Sequence, residues 1–308
     1  MNHLFRTRFS YWLLGTLLVL PQLVMAKEPL KVLTSIKPIQ LIAQAITEGV
    51  TTADILLPPG ASPHSHSLKP SDARKLYDAD VMFWIGPDME VFLEKMLAGA
   101  QKTLSVPLME QSHLSLRKND EAGEVHEHEE GHQHHHHGEY DAHIWLSPDN
   151  ALAMAKTMSQ KLIKVDPDHT KQYQENFRTF KENLQQADKN NIARLTNYHN
   201  EPMFVFHDAY GYLKAHYKLN IVDHFTINPE RQPGARHLAK LRDKLMKAGN
   251  SCVFREPQFQ PAYIDKIING TNTNVAVLDP LATEIRVDSD GYINFLNRMV
   301  SNIITCLK

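Results

Sequence analysis

An unbroken helical segment runs from about Asp168 to Asn197, and the same strand–helix grammar is written on both sides of it. Tyr173, Phe177, Phe180, Leu184 and Ala187 recur at four–three spacing, which gives a helix with one apolar stripe. At 1.5 Å per residue such a segment makes a rod of roughly 45 Å. One small lobe does not need that length, so the segment reads as a connector crossing two lobes. Before it, residues 30–36, 53–57, 80–85 and 103–108 read as strands. Residues 38–47, 71–78 and 90–97 read as helices, with Ser71 as an N-cap, and helix Pro148–Val165 follows with Pro148 in its first turn. After the connector, strands at 203–206, 221–226, 251–255 and 274–278 alternate with helices at 210–217, 235–247, 262–268 and 292–307.

Such alternation implies parallel sheets covered by helices on both faces. The expected fold is therefore α/β, with two lobes that each hold a mainly parallel four-stranded sheet, joined by the long helix and separated by a cleft. The expected boundaries are a leader at 1–26, an N-terminal lobe at 27–166, the linking helix at 167–198 and a C-terminal lobe at 199–308.

The leader is read from its own pattern. Arg6 and Arg8 form a positive region, Trp12 to Leu20 an apolar stretch, and Val24-Met25-Ala26 a small-residue cleavage site. Pro21 breaks the stretch, which is also short for a membrane span. The chain is expected to be exported to the periplasm and cleaved near Ala26. No later segment is apolar for 18 residues, so the mature chain is expected to be soluble. Of 33 Lys+Arg in the chain, two lie in the leader, which leaves 31 against 35 Asp+Glu. That mild acidity argues against a nucleic-acid partner. A monomer is expected.

Cys252 and Cys306 allow one pairing, and an oxidising compartment favours it. Closing a loop of that size stabilises a fold by about 4 kcal/mol on the chain-entropy model, less any strain. A thiolate metal pair is the weaker reading, because the two lack the close spacing of zinc motifs.

Residues 124–138 read EVHEHEEGHQHHHHG and contain His126, His128, His132, His134, His135, His136 and His137. Without apolar residues this run cannot bury enough surface to offset its ordering entropy, so a solvated loop is expected. Neutral imidazoles ligate borderline divalent ions and the interleaved glutamates concentrate cations, which makes the run a low-affinity metal loop.

Other candidate ligands sit at strand ends, where parallel α/β sheets bind ligands. His64 follows strand 53–57 in PPGASPHSHS, His207 follows 203–206 in FVFHDAYGY, and Asp279 follows 274–278 in VLDPL. His143 lies in DAHIWLSP, which leads into helix Pro148–Val165. Three imidazoles with a carboxylate or water suit tetrahedral zinc, so Zn2+ is the expected metal.

The segments PPGASPHSHSLKPSD, DAHIWLSPDNA, FVFHDAYGY, FREPQF and LDPL, with the acidic histidine-rich insertion, resemble the ZnuA-type zinc receptors of bacterial ABC importers. The resemblance extends over essentially the whole mature chain. It implies two α/β lobes on a rigid backbone helix, one metal between them, and a membrane permease as partner. His64, His143 and His207 fall on the family's histidine ligands. Some members carry glutamate just before the first histidine, where this chain has Pro63. Asp279 matches the aspartate that completes the related manganese sites, so Asp279 or water is expected fourth, with Glu256 more remote. Manganese members place a carboxylate where His207 stands; three nitrogen donors favour zinc instead. His66 is a poor substitute, since residues two apart in an extended loop point to opposite sides.

The rival readings are a zinc-dependent hydrolase and a periplasmic metal buffer uncoupled from a transporter. His128-Glu129-Glu130-Gly131-His132 matches H-E-x-x-H, but that chemistry needs a stable helix beside a substrate pocket. This stretch is polar, contains glycine and has no helical apolar pattern, so no enzymatic activity is expected.

Overall fold

The computed structural model of the chain describes residues 28–119, 138–259 and 262–308. The leader at 1–26 and the metal loop from His126 to His137 lie outside them, as does the H-E-x-x-H match.

The N-terminal elements are β1 (Val32–Thr34), α1 (Lys37–Thr47), β2 (Ala53–Ile55), α2 (Pro70–Asp78), β3 (Val81–Trp84), α3 (Val91–Gly99) and β4 (Leu104–Pro107). All four strands are parallel, in the order β2-β1-β3-β4. Then α4 (Pro148–Val165) leads to the long helix α5 (Thr170–Leu195). The second half runs β5 (Met203–His207), α6 (Gly211–Tyr217), β6 (Ile221–Thr226), α7 (Ala235–Ala248), β7 (Ser251–Arg255), α8 (Tyr263–Ile268), β8 (Thr273–Val277) and α9 (Gly291–Leu307). Its sheet is also parallel and repeats the same relative order, β6-β5-β7-β8.

The central strands β1, β3 and β5 are apolar along most of their length and buried throughout, as strands covered on both faces must be. In α5, Tyr173, Phe180, Leu184 and Ala187 are buried and Phe177 is half-buried, so the four–three stripe is its packed face. At 26 residues α5 spans about 39 Å, shorter than the sequence suggests. The difference lies at its ends, where Pro167–His169 and Thr196–Tyr198 tighten into 3-10 turns. Along its length α5 packs on α1 and α4 of the first half and on α9 of the second.

One helix start differs from expectation. Lys69, not Ser71, is the N-cap of α2, and Pro70 takes the first helical position. Proline is favoured there because its missing N–H is an orphan donor in any case, and the Asp72 carboxylate accepts the Lys69 N–H at 2.8 Å. At α4 the Ser147 hydroxyl caps the Asn150 N–H, with Pro148 in the first turn as expected.

Cys252 and Cys306 form a disulfide with their Cα atoms 6.0 Å apart. It ties α9 to β7 of the second sheet, across a sequence separation of 54.

Candidate metal centre

A sheet ordered β6-β5-β7-β8 has its topological switch point between β5 and β7, where the connections leave in opposite directions and a crevice opens. His207 is the last residue of β5, and Glu256 follows β7 directly. They meet in that crevice, with His207 Nδ1 2.6 Å from Glu256 Oε1 and both side chains almost wholly buried. Tyr210 closes the far side, its hydroxyl 3.0 Å from both Glu256 Oε1 and the Leu278 carbonyl. Burial and the adjacent Glu256 carboxylate hold the Tyr210 phenol well above its usual range, so it stays a hydrogen-bond donor.

The N-terminal half supplies two more imidazoles. His143 immediately precedes the 3-10 turn Ile144–Leu146 that feeds α4. Its backbone N–H and its Nδ1 both lie within hydrogen-bond reach of Asp141 Oδ1, at 3.0 and 2.8 Å, which fixes the ring. His64 comes from the loop between β2 and α2. The three rings sit 5.3–5.7 Å apart between centroids, and one nitrogen from each falls within 4.8 Å of the others.

Tautomer follows from these partners. A neutral imidazole facing a carboxylate places its single N–H on the facing nitrogen, so Asp141 and Glu256 hold the proton on Nδ1. Nε2 is then a free lone pair on both rings, and the two Nε2 atoms are 3.4 Å apart. Zinc–nitrogen bonds of about 2.0–2.1 Å in tetrahedral geometry put neighbouring donor atoms roughly 3.4 Å apart. Two carboxylates behind the imidazoles also offset the double charge a bound ion would bring into a buried site. Pro63, Trp145, Phe259, Pro280 and Leu281 complete a largely apolar wall that limits water.

With this geometry in hand, comparison with known proteins decides the family. A family model described as ZnuA, the periplasmic zinc-uptake complex component A, matches residues 32–306. This chain belongs to that family. The high-affinity zinc uptake system protein ZnuA of Yersinia pestis is 42% identical over 289 residues, covering 90% of this chain and 91% of that protein. The protein of the same name from Brucella suis is 34% identical over 305 residues, with the same coverage. Among solved structures, a crystal structure of ZnuA superposes with a TM-score of 0.75 at 23% identity, covering 91% of this chain and all of that one. The periplasmic zinc-binding protein TroA of Treponema pallidum gives 0.76 at 18%, covering 91% and 99%. At those identities the structural likeness speaks for the fold.

Within this ZnuA-family chain the structure brings together His64, His143 and His207, and Asp279 is not among the groups whose ligand atoms lie within 4.8 Å of one another. Asp279 Oδ1 accepts from Gln258 Nε2 at 2.7 Å and from the Leu281 N–H at 3.0 Å, while Oδ2 accepts from the Thr283 N–H at 2.6 Å. Those bonds shape the loop that carries Pro280 and Leu281 into the site wall. The same loop bridges the lobes: Trp145 Nε1 donates to the Pro280 carbonyl at 2.7 Å, and Lys37 of α1 donates to the Thr283 carbonyl at 2.8 Å. Burial lowers the Lys37 ammonium, with the Asp279 charge pulling the other way. His66 is turned from the cluster, with Nε2 3.6 Å from Asp72 Oδ2 and its ring beside Phe92.

The sequence does not single out Asp141 or Tyr210, and the Glu256 carboxylate meets the Nδ1 side of His207. An aspartate two residues before a histidine is the local signal that could have flagged Asp141, since Asx side chains bond to backbone N–H groups two residues on. If Glu256 fixes the His207 tautomer, Glu256→Gln should weaken zinc binding by about 10–100-fold while leaving the fold intact. A competition titration against a chelator checks this; an unchanged affinity would leave Glu256 as packing only.

Proposed function

We propose that this chain is the receptor that captures Zn2+ in the periplasm and delivers it to the membrane permease of an ABC zinc importer. His64, His143 and His207 hold the ion through ring nitrogens, Nε2 in the case of His143 and His207. The fourth ligand is Asp279 or water, and water is favoured because the two oxygens of Asp279 already accept three hydrogen bonds from neighbouring donors. Zinc is cargo here, not a resident cofactor. The observation that carries this reading is the 3.4 Å approach of two Nε2 atoms whose Nδ1 partners are carboxylates, in a member of the zinc-uptake family. Residues 1–26 serve as the export leader, removed near Ala26, and the mature chain works as a monomer.

The test is metal content and stoichiometry on the mature chain, followed by titration against a competing chelator. One tight zinc per chain is expected. Deleting residues 124–138 should remove additional weak sites and leave the tight one unchanged. A run whose composition offers almost no apolar residues to bury must be ordered by each ion it binds, whereas a preformed cleft carries little of that cost. Loss of tight binding on that deletion would move the functional metal to the histidine run. Growth on chelator-treated medium, with the gene deleted and then restored, separates a receptor from a buffer that serves no importer.

A further inference from the structure

A second cavity of about 550 Å3 opens on the C-terminal half next to the metal centre, between the segment after β6 and the start of α8. Its size falls within the range that takes small molecules. Phe259 lines both this cavity and the metal site, and its ring lies 5.3 Å from that of Phe206, the residue before His207. One aromatic side chain therefore separates the two spaces.

The polar lining is specific. Arg231 and Lys266 are both exposed at the cavity, and among the described residues neither makes an ion pair. Gln258 gives its Nε2 to Asp279 Oδ1 and Thr283 Oγ1, at 2.7 and 2.9 Å, which turns Oε1 the other way. That oxygen is buried and has no hydrogen-bond partner among the described residues. The one acidic lining residue, Glu230, is engaged by the Ser65 hydroxyl at 2.7 Å.

Two unpaired cations beside a concavity with an aromatic floor raise the local potential and favour a carboxylate. Glu230, exposed on the same rim, meets the Ser65 hydroxyl through Oε1, and its Oε2 can accept from an ammonium group. Phe206, Phe259 and Tyr263 can receive an apolar or aromatic side chain. We propose that this cavity binds a small zwitterion of the α-amino-acid class, with its carboxylate toward Arg231 and Lys266 and its ammonium group toward Glu230. When such a molecule chelates zinc its ammonium group releases one proton to solvent, while the bound amine keeps two N–H groups and the carboxylate keeps one free oxygen, so the same contacts remain available. The cavity would thus receive the metal as a small chelate one side chain away from His207. That use rests on the zinc-receptor reading; the binding itself does not.

Calorimetric titration of the metal-free mature chain with L-histidine tests the proposal. Saturable one-site binding is expected, and the double variant Arg231→Gln/Lys266→Gln should weaken it by about tenfold or more. Both replaced side chains are exposed, and an unchanged affinity of the double variant for ionic zinc would confirm that it folds. No saturable binding up to about 10 mM, or equal binding by the double variant, would overturn the proposal. A failure of the zinc-receptor reading is separate: tight zinc would persist in His207→Ala whatever L-histidine does.

Discussion

Replacing His207 by alanine is expected to lower zinc affinity by about a thousandfold or more, roughly 4 kcal/mol. The substitution removes one of three nitrogen donors, and it also takes the His207 partner from the buried Glu256 carboxylate, leaving the Tyr210 hydroxyl on that oxygen among the described residues. His143→Ala should behave alike, because it leaves Asp141 Oδ1 without the ring it orients. Asp279→Ala is the contrast. Its carboxylate organises the loop that carries Pro280 and Leu281, so it should cost about tenfold or less through a looser wall. Competition with a chelator of known affinity, at fixed pH, reads all three. Equal losses for Asp279 and the histidines would make Asp279 a ligand and require its loop to refold on metal binding.

The strand-end rule makes His207 legible from sequence, because MFVF is a continuous apolar run and the histidine follows it. The same rule puts Asp279 at the same edge of the sheet, yet it cannot say which strands are neighbours. The observed order β6-β5-β7-β8 sets β7 between β5 and β8, so Glu256 and not Asp279 faces His207. Sheet order depends on which connections cross, and that is a long-range property absent from local patterning. His143 is a weaker candidate from sequence, a loop histidine ahead of a helix that belongs to no strand end, and it is aimed by an aspartate two residues earlier. The long helix is readable because four–three periodicity needs only local information. Its ends are not, because 3-10 turns satisfy the same pattern with a different rise.

Both sheets share one order, and the N-terminal one therefore has its own switch point, between β1 and β3. There the crevice is filled by Glu90 rather than by a metal ligand. Its Oε2 accepts the Ile85 and Gly86 N–H groups, at 2.8 and 3.1 Å, and Ser35 lies against it at the end of β1. The sequence places Glu90 as the first residue of a helix, and in the structure it is the residue just before α3. The structure buries it completely. Burial pushes the carboxyl up to about 7, against the opposing pull of the Ser35 hydroxyl and the two backbone N–H groups.

A stability profile follows from that shift. In the unfolded chain the same carboxyl titrates near 4.3. Below that value both states hold the proton and Glu90 contributes no difference. As pH rises, the unfolded state releases its proton first, so stability falls by about 1.4 kcal/mol per unit until the folded carboxyl also ionises near 7. The full loss is roughly 4 kcal/mol, complete somewhat above neutral pH. In Glu90→Gln, the neutral amide can still accept both N–H groups through its oxygen and carries no charge to bury. The variant should match the parent near pH 4 and exceed it by roughly 4 kcal/mol near pH 8. Urea unfolding of the two metal-free proteins across this range measures the difference, in which the other titrating groups cancel. Parallel curves would show that Glu90 keeps an ordinary carboxylate in the folded protein, and that the N-terminal switch point admits water to it.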